Sequence, residues 1–269
     1  YLSALDWGLQ VNECYDCARV TSLHIAADYW ERYERQEEGA YRAALATGAT
    51  GIILLRTDGQ MMTDVTIRDC ALGISLVRNP NSAGETAGYT SLSGLVLERS
   101  GAGIRMEYNS FQLSEATIRV SGYPILVTSE TQSAGSLRLY DCELSGESNA
   151  CLKVEDGAQC VVSVQNSRFL QWGKSSFAVE ADGGMVLLTG NSFEKKGEGS
   201  KAVFLGSGVR AATVTANAFD SALAATVESR MDPKTVVLET GNAESLPETV
   251  DFAVTIPVCS APERQTVYN

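Results

Sequence analysis

The sequence contains one histidine, His24, and it has no stretch approaching the eighteen or so apolar residues of a membrane-spanning helix. Ser/His/Asp or Cys/His catalysis would depend entirely on His24, which alternates with Leu23 and Ile25 in a predicted strand. A glycine-rich phosphate loop is also absent from the sequence. These absences leave carboxylates as the candidate catalytic groups, and we expect no membrane partner.

Basic residues are scarce relative to acidic ones. The chain has 21 Lys and Arg against 33 Asp and Glu, which gives a formal net charge of −12. A protein that binds nucleic acid or an anionic membrane surface needs a basic stripe to neutralise phosphates. The composition therefore predicts a neutral partner and excludes nucleic acid.

Cysteine is too rare for a disulfide scaffold, and seven is an odd number. Cys14 and Cys17 have the spacing of a redox or zinc pair, but the chain has no second such pair. We expect buried thiols, with one local disulfide as the alternative. We expect no metal and no cofactor.

An internal repeat extends over most of the chain. We predict that seven strand centres form one buried column, at spacings of 21 to 30 residues, and an apolar residue lies two positions before each. The centres are Ile67, Leu97, Ile118, Leu139, Val164, Leu188 and Val214. Three positions after each centre comes a small and often polar residue, which predicts a tight inward turn with hydrogen bonds between coils. These residues are Cys70, Ser100, Ser121, Cys142, Ser167, Asn191 and Asn217.

A second short strand follows in each unit, for example around Ile74, Ile104 and Ile125, and no helical periodicity separates the units. The pattern predicts an all-β fold, a right-handed parallel β-helix solenoid with a short helical insertion near the amino end. We place the β-helix at residues 1–230, with the insertion at residues 26–50, and a C-terminal capping tail at residues 231–269. Residues 8–11 and 20–25 already read as strands of a coil, so we expect a preceding domain or a partner chain to cap the amino end.

Three stretches are most typical of this architecture, residues 65–76, 186–193 and 213–219. Through them the chain resembles the pectate-lyase-like superfamily of parallel β-helices over residues 8–227. The resemblance implies carbohydrate-active enzymes, phage tailspikes or adhesive solenoids. The sequence lacks the Asn-Thr-Asp, Asp-Asp and Gly-His-Gly signatures of polygalacturonases and the Arg-x-Pro-x-x-Arg of pectate lyases, which disfavours pectin chemistry.

Two insertions interrupt the repeat, at residues 28–42 and 78–89, and we expect them to rise from neighbouring points of one face. The first is rich in aromatic and acidic residues, and sugar rings stack on aromatic side chains. The predicted substrate-binding residues are Trp30, Tyr33, Tyr89 and Arg78, and the predicted catalytic carboxylates are Asp28, Asp58 and Glu31. The alternative is that Trp30 and Tyr33 only pack the insertion onto the solenoid.

Glycoside hydrolysis needs two carboxyl groups across the scissile bond. We therefore expect an extracellular or cell-surface glycoside hydrolase that acts on a neutral or mixed oligosaccharide or polysaccharide. The alternative is a noncatalytic solenoid, either a glycan-binding module or a structural part of a larger surface protein.

Overall fold

The computed structural model describes residues 2, 6–14, 18–28, 39–78, 88–131, 135–194, 200–231 and 237–244. All strand pairings between these residues are parallel, and they build one sheet of nine strands and one of thirteen. We call them sheet I and sheet II. The chain passes from one sheet to the other and back in every coil, which confirms the predicted all-β parallel β-helix.

Sheet I takes one short strand from each coil, and its two inward positions are apolar in nearly every strand. Ile52, Ile74, Ile104 and Ile125 form one such inward column. The strands are β1 (Trp7–Val11), β3 (Thr50–Leu54), β5 (Leu72–Leu76), β7 (Ala102–Met106), β9 (Ile125–Val127), β11 (Leu152–Val154), β14 (Phe177–Ala181), β17 (Lys201–Leu205) and β20 (Ala225–Ser229).

Sheet II takes the longer path in each coil. Its strands are β2 (Arg19–Ile25), β4 (Asp58–Arg68), β6 (Tyr89–Ser100), β8 (Ser110–Val120), β10 (Ser136–Gly146), β12 (Val161–Gln165), β13 (Arg168–Gln171), β15 (Met185–Thr189), β16 (Ser192–Phe193), β18 (Ala211–Thr215), β19 (Ala218–Phe219), β21 (Val237–Thr240) and β22 (Ala243–Glu244). From β12 onward, two short strands replace the single long strand of the earlier coils.

A column of left-handed residues bends sheet II into two arms. Aligned positions in nine coils have φ between 49° and 71°, a region that residues other than glycine seldom adopt. The column consists of Ser22, Asp64, Gly94, Glu115, Asp141, Asn166, Gly190, Ala216 and Gly241. We call the strand residues before this column the first arm and those after it the second arm.

The second arm buries an aromatic stack. Leu144 pairs with Phe169, which is followed by Phe193 and Phe219 on the next coils. The ring centroids are 4.6 Å apart for Phe169 and Phe193 and 4.9 Å apart for Phe193 and Phe219. Phenylalanine thus takes the place of Leu144 in the three later coils.

The predicted single column is wrong at one step. Ile118 pairs with Leu144, not with Leu139, and Leu139 pairs with Leu113 on the preceding coil. Because the true repeat between β8 and β10 is 26 residues, Leu139 belongs to the first arm and Ile118 to the second arm. The predicted polar column has the same break, since Cys142 pairs with Ala116.

One helix, α1 (Ala40–Gly48), lies within the described ranges and belongs to the predicted insertion. Leu45 and Ala49 pack with Ala27 in a small buried cluster of their own. The amide of Ala71 donates to the carbonyl oxygen of Ala49 at 2.9 Å, which fastens the end of α1 to the corner after β4. The helix therefore sits at the side where sheet II turns into sheet I.

Strands β21 and β22 continue sheet II past residue 230, where we placed the start of the tail. The remainder of that tail, residues 245–269, lies outside the described residues. Cys70, Cys142, Cys151 and Cys160 are buried, as expected for core thiols.

Candidate functional site

A groove of about 600 Å³ lies next to α1, at the corners that follow the second arm of sheet II. Most of the residues that line it have polar side chains, and their aliphatic portions form much of its surface. The lining includes Ala46, Glu98, Arg99, Arg119, Glu147 and Gln171.

Aligned side chains on neighbouring strands of the second arm form the floor of the groove. Glu98 aligns with Arg119, Arg119 with Ser145, and Ser145 with Gln171, so four neighbouring strands each contribute one outward side chain. Three strand spacings correspond to about 14 Å along the solenoid axis. The groove is therefore elongated in the direction in which coils stack.

An ion-pair network of two carboxylates and two arginines lies at the α1 end of the groove. Arg42 in α1 contacts Asp28 at 2.8 Å and Asp69 at 3.4 Å. Arg99, which lines the groove, contacts Asp28 at 3.0 Å and Asp69 at 2.9 Å. The side chain of Asp69 is only 2% exposed, whereas that of Asp28 is 41% exposed.

The two carboxylates of this network are close together. One nitrogen of Arg99, Nη2, contacts both, so the two oxygens lie at most about 6 Å apart, the sum of the two distances. Burial raises the pKa of Asp69, and the nearby arginines only partly oppose this. Partial burial also acts to raise the pKa of Asp28, but Arg99 and Arg42 outweigh it, so that pKa is lowered. The surroundings thus raise the pKa of Asp69 and lower that of Asp28.

Ion pairs also flank the groove floor. Glu98 pairs with Arg68 at 2.8 Å, and Arg119 pairs with Glu143 at 3.3 Å. Glu143 contacts Arg168 in turn at 2.6 Å. The two charged side chains of the floor, Glu98 and Arg119, therefore each have a partner of opposite sign.

The structure separates the predicted carboxylates Asp28 and Asp58. Asp28 follows β2, near the carboxyl end of β4, whereas Asp58 is the first residue of β4 and lies 3.8 Å from Arg56. The length of β4 therefore lies between them, and the expectation that they share one cleft is wrong.

The two insertions leave the solenoid at different corners, which corrects the prediction of a shared face. Residues 26–49 connect sheet II to sheet I, whereas residues 77–88 connect sheet I to sheet II. Arg78 is exposed, with its guanidinium carbon 6.0 Å from the ring centroid of Tyr108. Tyr89 donates from its hydroxyl to Oε1 of Gln112 at 2.8 Å. Neither residue lines the groove.

Three predicted site residues, Trp30, Glu31 and Tyr33, lie outside the described residues. The network also includes Asp69 and Arg99, which we did not select from the sequence. The sequence did contain a signal for this pair. Asp69 and Arg99 each come one residue before an aligned turn position, Cys70 or Ser100, and they carry opposite charges on adjacent coils.

Comparison with known families identifies the class. Residues 50–219 match the family described as right handed beta helix region, so the chain belongs to that family. No curated protein sequence matches it significantly.

One similar solved structure is a GH136 lacto-N-biosidase from Eubacterium ramulus. It is 13% identical, with a TM-score of 0.46, and the similarity covers 90% of this chain and 51% of that protein. This chain therefore spans about half the length of that protein.

Two further features are absent from the described residues. No helix there is long and apolar enough to cross a membrane. No group of three or more His, Cys, Asp or Glu side chains in the same ranges is arranged to hold a metal ion.

Proposed function

We propose that the chain is a carbohydrate-active β-helix that hydrolyses a glycosidic bond of a neutral oligosaccharide bound in the groove. The observation that carries this proposal is the proximity of Asp28 and Asp69 at the α1 end. Retaining glycoside hydrolases hold their carboxyl groups about 5 to 5.5 Å apart, which lies within the limit set by Arg99.

The environments of the two carboxyl groups assign their roles. Asp69, with its raised pKa, is the general acid, and Asp28, kept ionised by arginines, is the nucleophile. The glycosidic C–O bond breaks as Asp69 gives its proton to the leaving oxygen and a carboxylate oxygen of Asp28 bonds to the anomeric carbon. Water then cleaves that ester and returns a proton to Asp69.

Arg99 controls access to the pair in this mechanism. Its side chain is 44% exposed and lies between the groove and the two carboxylates. Substrate entry requires the guanidinium to swing toward solvent, and sugar hydroxyls then replace its contacts. Trp30 and Tyr33, in the same insertion as α1, are the proposed stacking residues for a sugar ring.

Noncatalytic glycan binding is the second candidate function. It is favoured by the ion pairs themselves, because both carboxylates contact both arginines, an arrangement that also serves a purely structural network. In either case we propose that the protein acts at the cell surface or outside the cell.

The test measures hydrolysis across a panel of neutral oligosaccharides. We expect the wild type to cleave at least one of them, and Asp28→Asn and Asp69→Asn to lose about a hundredfold or more in rate. Asp156→Asn, an exposed acidic residue in a turn between the sheets, is the matched control and should keep full activity. Circular dichroism verifies that each variant is folded.

The same panel decides between the two candidates. Binding without hydrolysis by the wild type supports the glycan-binding module and rejects the enzyme. Hydrolysis that survives in both Asp28→Asn and Asp69→Asn would mean that the catalytic pair lies elsewhere. Loss of hydrolysis in Asp58→Asn would then place the catalytic pair at the opposite corner.

A further inference from the structure

The first arm of sheet II has two outward columns that are almost free of charge from β4 to β18, whereas the exposed Arg19 continues one of them on β2. Seven adjacent strands each contribute two outward residues in register, and Arg138 is the single charged residue among these fourteen, in a chain that is 20% charged. The residues are Met61, Thr63, Ser91, Ser93, Gln112, Ser114, Arg138, Tyr140, Ser163, Gln165, Leu187, Thr189, Thr213 and Thr215. We call this surface the flat face.

The other outward surfaces of the solenoid are charged. The second arm carries ion pairs between successive coils, such as Arg168 with Glu194 at 2.9 Å. Sheet I does the same, with Lys153 2.6 Å from Asp182 and Lys201 3.0 Å from Glu228. The lack of charge is therefore local to the flat face, since neighbouring surfaces on the same coils have the usual composition.

Exposed apolar side chains concentrate at the same place. Among the described residues, five large hydrophobic side chains are exposed, and three of them lie on the flat face or at its edge. They are Met61 at 43%, Tyr140 at 50% and Tyr89 at 38% exposure. The hydrogen bond from Tyr89 to Gln112 holds that ring in a fixed orientation on the surface.

The dimensions of the flat face fit an extended ligand. Seven strands span about 30 Å along the solenoid axis, and the two outward columns repeat their side chains at about 4.8 Å. A regular sheet face of this kind is much flatter than a pocket.

We propose that the flat face binds extended chains of a neutral polysaccharide, as an anchoring surface separate from the groove. Hydroxyl and amide side chains predominate on it, and they match sugar hydroxyls as hydrogen-bond partners, while Tyr89 and Tyr140 offer rings for stacking. Nucleic acid is excluded, because one arginine cannot neutralise a phosphate backbone. A protein partner would favour a more apolar centre than rows of Ser and Thr.

The test is depletion of the protein from solution by microcrystalline cellulose, chitin and granular starch. We expect the wild type to bind at least one polymer, with little change at about 0.5 M salt, because no charge pairing is involved. Tyr140→Ala and the double variant Ser114→Glu/Ser163→Glu should each weaken that binding about tenfold, because they remove a stacking ring or desolvate new charges. The matched control is Ser207→Glu/Ser221→Glu, two exposed turn residues away from the flat face.

Three results would overturn the proposal: no depletion by any of the three polymers, unchanged binding in the two flat-face variants, or equal loss in the control. Self-association in sedimentation experiments that the flat-face variants abolish would also overturn it, and would make the face an interface between copies. Failure here is distinguishable from failure of the hydrolase proposal. Asp69→Asn should keep polymer binding, and Tyr140→Ala should keep hydrolysis of soluble oligosaccharides.

Discussion

Asn191 and Asn217 occupy equivalent turns on adjacent coils, and the backbone amide of Asn191 donates to Oδ1 of Asn217 at 2.9 Å. The side-chain amide of Asn217 donates in turn to the carbonyl oxygen of Leu188 at 3.0 Å. Ser167 and Asn242 extend the same ladder on either side. Both amide groups are buried, so each depends on its neighbours for hydrogen bonding.

Asn217→Ala should therefore destabilise the protein by about 1 to 3 kcal/mol, because it leaves the buried amide of Asn191 without its acceptor. Urea unfolding monitored by circular dichroism measures the effect. Gln165→Ala, at an exposed position two coils earlier, is the control and should change stability by less than about 0.5 kcal/mol. Equal effects of the two substitutions would show that the ladder contributes no stability.

Ala216 lies in the left-handed column at φ 55°, where an L side chain is strained. Ala216→Gly should stabilise the protein by about 1 kcal/mol, because glycine adopts this conformation without steric cost. Ala211→Gly is the matched control on the same coil. Ala211 lies in β18 without a positive φ, so glycine there should destabilise by about 0.5 to 1 kcal/mol. Shifts of the same sign in thermal melts would contradict the role of the bend.

The alternation of apolar residues was sufficient to predict the fold, but it did not determine the strand register at one step. The strands β8 and β10 carry buried residues at alternate positions in both arms, so a shift from Ile118 to Leu139 satisfies the hydrophobic pattern as well as the true pairing does. The left-handed residues Glu115 and Asp141 mark the bend, and their spacing of 26 gives the correct register. Neither residue type indicates positive φ by itself, which is why the sequence did not reveal it.

The candidate site was predictable only in part, for a topological reason. Asp28 was selected for its closeness to the insertion, and the structure places it in the ion-pair network at the α1 end of the groove. Asp58 was paired with it because both residues end or begin strands near insertions. In a solenoid, successive connections alternate between two corners, so features that follow each other in sequence appear on opposite sides.

A double-mutant cycle tests the corrected register directly. Leu139→Ala should cost about 2 to 5 kcal/mol, because Leu139 is 1% exposed in the core. Its coupling with Leu113→Ala should reach at least about 0.5 kcal/mol, because the two residues are paired. The coupling with Ile118→Ala should be smaller. Arg138→Ala, at the exposed neighbouring position on β10, is the control for strand propensity. A larger coupling of Leu139→Ala with Ile118→Ala than with Leu113→Ala would support the alignment predicted from the sequence.

Buried thiols should make the protein less stable as the solution becomes alkaline. Burial raises the pKa of Cys142 from 9.0 to about 11, and Cys160 is affected in the same way. Between pH 9 and pH 11 the unfolded thiol therefore loses its proton while the folded thiol keeps it. The unfolded state binds fewer protons in this window, so the free energy of unfolding falls as pH rises.

Cys142→Ala removes this dependence at one site. Under reducing conditions, the decline in unfolding free energy from pH 9 to pH 11 should be smaller than in the wild type by on the order of 2 kcal/mol. Val164→Ala is the matched control, since it truncates a buried side chain that does not titrate and should lower stability equally at both pH values. A pH dependence in Cys142→Ala identical to that of the wild type would mean that Cys142 ionises as readily in the folded protein as in the unfolded chain.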